Sequence, residues 1–187
     1  MKQILVIALL VFFAFGCNDS SSKTEKKATD STSTTAAAST EKPDYPYSLT
    51  HPYGDWQPGD QAHAVNVMKS LKAYETGDIS ACVTAFGDSV ELMFDGYRDK
   101  ISNDSLKKMF TTSRNALSAM KIDMGDWESV ISKDKKQEYV TLWYKEITTD
   151  KKGKTDSLSI VDDLKIMNGK IVELDQKIQH FPVAKKK

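Results

Sequence analysis

From Lys121 to His180 apolar residues recur at every second position, in four runs separated by short polar turns. No other feature of the chain limits its fold as much. A period of two is that of a strand with one buried face. It predicts strands near Ile122–Ile131, Glu138–Thr148, Ser157–Ile166 and Lys170–His180. The links are SKDKK (Ser132–Lys136), TDKKGK (Thr149–Lys154) and MNG (Met167–Gly169). Links this short make hairpins, so the four strands form an antiparallel meander.

The residues before Lys121 follow another rhythm. Ala64, Val67, Leu71 and Tyr74 fall at helical spacing, and the helix they define over Gln61–Thr76 ends at Gly77. Asp78 caps a short second helix through Phe86. Val90, Leu92 and Phe94 alternate with Glu91 and Met93, a strand closed by the turn pair Asp95-Gly96. Ser102, Asn103 and Asp104 offer caps for a third helix, whose stripe is Leu106, Met109, Phe110, Leu117 and Met120. No proline lies between Pro58 and Pro182, a length suited to one core. Helices followed by a long sheet give an α+β domain: a cone of three N-terminal helices packed in a curved antiparallel sheet. The open mouth of such a cone is a natural ligand site.

Strand parity selects candidate residues inside the cone. Leu158, Ile160, Leu164 and Ile166 share one face, as do Val172, Leu174 and Ile178, and Asp162 and Gln176 fall on those inward positions. Tyr144 shares a face with Val140 and Leu142, while Trp143 points the other way. With Tyr74 on the first helix and Phe94 on the first strand, the candidate pocket residues are Tyr74, Phe94, Tyr144, Asp162 and Gln176. A carboxylate on an apolar wall has a raised pKa and can act as a base or bind a ligand. A bulge near Val161–Asp163 would instead turn Asp162 into water. On the outer face, Trp127, Tyr139 and Trp143 suggest an aromatic patch through which two copies could pair.

The N-terminus speaks to location. Lys2 precedes an apolar run from Ile4 to Phe15, the layout of a secretory signal and too short for the roughly 20 residues of a membrane span. The run ends Gly16-Cys17 and turns polar through NDSSSKTEKKATDSTSTTAAASTEK (Asn18–Lys42), a segment that cannot bury enough apolar area to order itself. The expected organisation is a signal peptide over 1–16, Cys17 and an extended linker over 17–54, the domain over 55–182, and a basic tail over 183–187. An ordinary signal peptide cleaved nearby is the alternative. Cys82 sits among Ile79, Val83 and Phe86 as a small core residue. His51, His63 and His180 make no metal-ligand spacing. Acidic and basic residues balance at 26 each, so no basic excess points to nucleic acid, and no cofactor fingerprint is present.

Two stretches carry a family resemblance. The order of a helix, ETGDISACVTAFGDSVELMFDG (Glu75–Gly96), a helix and a meander ending NGKIVELDQ (Asn168–Gln176) resembles the nuclear transport factor 2-like superfamily, which includes SnoaL-like cyclases and ketosteroid isomerases. YPYSLTHPYGDW (Tyr45–Trp56) ahead of it is similar to Bacteroidetes-type lipoproteins of unestablished function. The apolar run ending in Cys17 likewise resembles a bacterial lipoprotein signal, although Ala14 and Phe15 depart from its usual pattern. The resemblance implies lipid attachment at Cys17 and a bacterial cell envelope location, on the periplasmic face or the cell surface. It also implies a cone fold and dimers through the outer sheet face. Its catalytic residues carry over poorly. Ser70 stands where the isomerases place a tyrosine, the isomerase base falls at Asp95, and the histidine that follows GKIVE in SnoaL-like members is absent.

These readings leave two functions open. One is a non-catalytic envelope module binding a small hydrophobic ligand or a protein partner. The other is an isomerase, cyclase or hydratase using Asp162 or Asp95 as base.

Overall fold

The computed structural model describes residues 44–47 and 56–181. The chain divides into two units between Pro46 and Tyr47, and every helix and strand among the described residues belongs to the second. The expected signal peptide, lipidated Cys17, most of the linker and the basic tail lie outside the described residues.

The N-terminal helices form where their caps permit. In α1 (Gln61–Thr76), the Asp60 carboxylate accepts from Ala62 N at 2.8 Å, and Gly77 ends the helix at φ 88°. That left-handed conformation favours glycine. Asp78 then caps α2 (Ile79–Cys82), accepting from Ala81 N at 2.9 Å. The capping Ser102 of α3 (Asn103–Asn115) accepts from Ser105 N. Arg114, in its last turn, donates through Nε and Nη2 to the Glu75 carbonyl at 3.2 and 3.0 Å. This joins the C-terminal ends of α1 and α3 and satisfies a carbonyl that α1 leaves free.

Among the described residues seven strands make one curved sheet: β1 (Gln57–Pro58), β2 (Phe86–Phe94), β3 (Tyr97–Ser102), β4 (Leu117–Ile131), β5 (Glu138–Asp150), β6 (Thr155–Met167) and β7 (Lys170–His180). Their order is β1-β4-β5-β6-β7-β2-β3. The meander over β4–β7 is antiparallel as the short links require, and Asn168 and Gly169 turn the last hairpin at φ 51° and 72°. A positive φ at both central positions is that of a type I′ turn. One pair departs from the expected antiparallel sheet: β2 runs parallel to β7.

Other details differ from the sequence reading. Leu117 and Met120 belong to β4, because α3 ends at Asn115. Tyr97–Ser102, unassigned in the sequence, pairs with β2 as an edge strand around the Asp95-Gly96 turn. The register slips at Lys165/Ile166, so that Ile171 rather than Val172 faces the core at 1% exposure. That slip lies past Asp162, whose parity is kept.

The core fills the space between helices and sheet. Val67 and Ala64 of α1 and Leu106 of α3 meet Val90, Leu92, Val140, Leu142, Ile160 and Leu164 of the sheet. On the other face stand Tyr139 and Trp143, but Trp127 does not join them. The bulge at Gly125 brings Trp127 opposite Leu142, on the helix side of the sheet, where it remains 46% exposed.

Candidate functional site

Between the helices and the sheet lies a cavity of about 220 Å³. One face of α1 supplies Val67, Ser70, Leu71 and Tyr74, spaced by three or four residues as a single helical stripe must be. From α3 come Met109, Phe110 and Ser113. The sheet contributes Leu142, Tyr144 and Glu146 along β5, Asp162 and Leu164 along β6, and Leu174 and Gln176 along β7. These sheet residues alternate because every second side chain points inward. Ser113 is exposed, while Phe94, Glu146 and Gln176 are half-buried, which places the opening on their side.

Tyr74, Phe94, Tyr144, Asp162 and Gln176 therefore all stand in one wall system. Asp95 does not. It is exposed in the β2–β3 turn and takes no part in the cavity, so the alternative base from the isomerase pattern is corrected. Glu146 was missed, although it continues the Leu142, Tyr144 alternation and could have been read from it.

Asp162 is the polar centre. Pairing places it opposite Leu142 on β5 and Gln176 on β7, and it is only 5% exposed. Tyr144 Oη donates to Asp162 Oδ2 at 2.9 Å and Gln176 Nε2 to Oδ1 at 3.0 Å. Both donors are neutral. Removal from water pushes the carboxyl up to about 6, against the opposing pull of those two hydrogen bonds. Tyr144 is raised well above the usual phenol value by burial and by the Asp162 charge it touches.

The other titratable groups obey the same logic. Burial first, then the Asp162 charge, raises Glu146. Tyr74 is pushed up to about 12 by burial and then by the Glu146 charge. The Cys82 thiol is raised by burial, with the Ser70 hydroxyl opposing, so it is a poor source of thiolate. Ser70 donates to the Cys82 carbonyl at 2.8 Å. It stitches α1 to α2. Among the described residues no group of three or more His, Cys, Asp or Glu is placed to hold a metal ion. His63 Nδ1 instead lies 2.6 Å from Glu138 Oε1.

No protein-family description and no curated protein matches the chain. Solved structures do. AusH from Aspergillus nidulans superposes with a TM-score of 0.53 at 15% identity, covering 66% of this chain and 87% of its own. An LEH-like epoxide hydrolase from M. tuberculosis gives 0.53 at 11%, covering 64% and 84%. An NTF2-like protein of unknown function from Burkholderia pseudomallei gives 0.50 at 14%, covering 63% and 90%. The domain has the nuclear transport factor 2-like fold. Fold alone assigns no chemistry, since function resides in the site.

Proposed function

We propose that this nuclear transport factor 2-like domain binds a small, largely apolar molecule in the cavity between its helices and its sheet, and that Cys17 tethers it to the bacterial cell envelope. The cavity carries the proposal: apolar side chains from two helices and the sheet surround a hollow that contains a buried, hydrogen-bonded carboxylate. That combination of apolar walls and a few fixed polar groups is the usual composition of a small-molecule site. Binding is favoured over turnover because both Asp162 oxygens are already held, by Tyr144 and Gln176. Neither donor is left aimed at a separate oxyanion, which a carbonyl-activating site requires.

One observation favours a second function. A carboxyl raised to about 6 is matched to proton transfer near neutral pH, and fold neighbours include a protein named as an epoxide hydrolase. On that alternative Asp162 is the base of an isomerase, cyclase or hydratase acting on an apolar substrate.

Native mass spectrometry of the full chain, purified from its membranes in mild detergent, separates these outcomes. The expected result is a copurifying small molecule that is released unaltered and is lost from the Ser113→Phe variant, in which the ring closes the opening. A chain that carries nothing, or an equal load in the variant, contradicts the proposal. A bound molecule converted on incubation by the native chain but not by Asp162→Asn establishes the enzyme instead.

A further inference from the structure

Buried charges in proteins are paired with an opposite charge, because a lone ion in a low-dielectric interior is costly. Among the described residues Asp162 breaks that rule. Its two hydrogen-bond partners are a phenol and an amide. Lys177, whose charge acts only weakly on Asp162, lies on the outer face of the sheet, where it bonds Asp163 at 2.8 Å and Asp175 at 2.9 Å. Arg114, at the helix side, gives its guanidinium to the Glu75 carbonyl. Neither Lys177 nor Arg114 lines the cavity, nor does any other Lys, Arg or His among the described residues.

The cavity wall does contain a second carboxylate, Glu146, half-buried on the same face of β5 as Tyr144. Opposite the carboxylates stands an aromatic cluster. Tyr74 packs edge-to-face on Phe110 with centroids 5.1 Å apart, and Phe86 on Phe110 at 5.9 Å. Aromatic faces attract cations, most strongly where water is excluded. Two anions, a set of rings and no basic group make a cavity whose missing component is a positive charge.

We infer that the ligand is a small apolar molecule bearing a protonated amine, its ammonium held between Asp162 and Glu146 and its apolar part against Tyr74 and Phe110. This rests on the binding function proposed above and adds the ligand's chemical class. The volume limits its size: about 220 Å³ falls below the ~300–1,000 Å³ of sites for drug-sized ligands. A single-ring or short-chain amine suits it. A fatty acid is disfavoured, because its carboxylate would meet Asp162 and Glu146 with no cation between.

The test uses three probes of one size and different charge: 2-phenylethylammonium, 2-phenylethanol and phenylacetate. Each is titrated calorimetrically into the full chain in mild detergent at pH 7.5. The ammonium is expected to bind at least tenfold tighter than the alcohol, and phenylacetate at least a hundredfold more weakly than the ammonium. Glu146→Gln and Asp162→Asn should each cut the ammonium-to-alcohol preference at least threefold. Because Glu146 is half-buried, its variant keeps the test decisive even if the other misfolds. Alcohol or phenylacetate binding as tightly as the ammonium, or a preference unchanged by Glu146→Gln, overturns the amine assignment and leaves the cavity as a binding site. If no probe binds, or all bind equally well to Ser113→Phe, the binding function falls and the amine assignment with it.

Discussion

Asp162→Asn is expected to stabilise the folded chain by about 2 kcal/mol at pH 8 and to change its stability little at pH 4. The group's proton affinity is raised on folding, from the ordinary aspartate value of 3.8 to about 6. Between those two pH values the folded chain binds more protons than the unfolded one, so its stability falls as pH rises. Above pH 6 the penalty is complete, and below 3.8 it vanishes. A rise of this size corresponds to about 3 kcal/mol. Roughly 1 kcal/mol is returned when Tyr144 and Gln176 reorganise around an amide. Urea denaturation of both chains at the two pH values measures the difference. Equal loss of stability at both would mean that Asp162 is a structural hydrogen-bonding residue whose charge the fold tolerates without strain. A gain confined to high pH marks a carboxylate kept at the expense of stability, as groups retained for function are.

Cys17→Ser is expected to abolish palmitate incorporation and to shift the protein out of the membrane pellet. Each buried CH₂ of an acyl chain contributes about 0.8 kcal/mol to membrane binding, so one chain holds marginally and two or more hold stably. Among the described residues no helix is long and apolar enough to cross a membrane. The expected anchor is lipid on the cysteine. Metabolic labelling with palmitate and fractionation of both chains provide the check. Retained label, or unchanged fractionation, would refute attachment at this residue.

Much of the sheet could be read in the sequence because its period is physical. Leu142, Tyr144, Asp162, Leu164, Leu174 and Gln176 alternate with outward residues, and hairpins too short for crossovers fixed their neighbours. The same parity brings Tyr144, Asp162 and Gln176 together from the sequence alone. What escaped lacked a local signal. The parallel pairing of β2 with β7 joins Phe86 to Ile171 and Leu92 to Leu174, residues far apart in the chain with nothing nearby that names the partner. Strand β3 is YRDKIS, an edge whose polar side chains face water and carry little alternation. Leu117 and Met120 are three apart, a helix spacing, and the bulge between Leu117 and Ala119 sets both on one face of β4, opposite Asp150 and Thr148. Trp127 went to the wrong face because the Gly125 bulge adds a residue that parity cannot count. Glu146 is in plain phase with Tyr144, but a glutamate adds no apolar residue to the alternation that marks the inward face.

The cavity's role is tested most directly by methyl NMR on the full chain with ¹³C-labelled Leu, Ile and Val, titrated with 2-phenylethylammonium and, separately, 2-phenylethanol. Saturable shifts are expected at Leu142, Leu164, Ile171 and Leu174, which line the cavity. Val161, which pairs with Trp143 on the outer face, should stay still. Shifts at Val161 with none at the four lining residues, or no saturable shift with either probe, would contradict binding inside the domain.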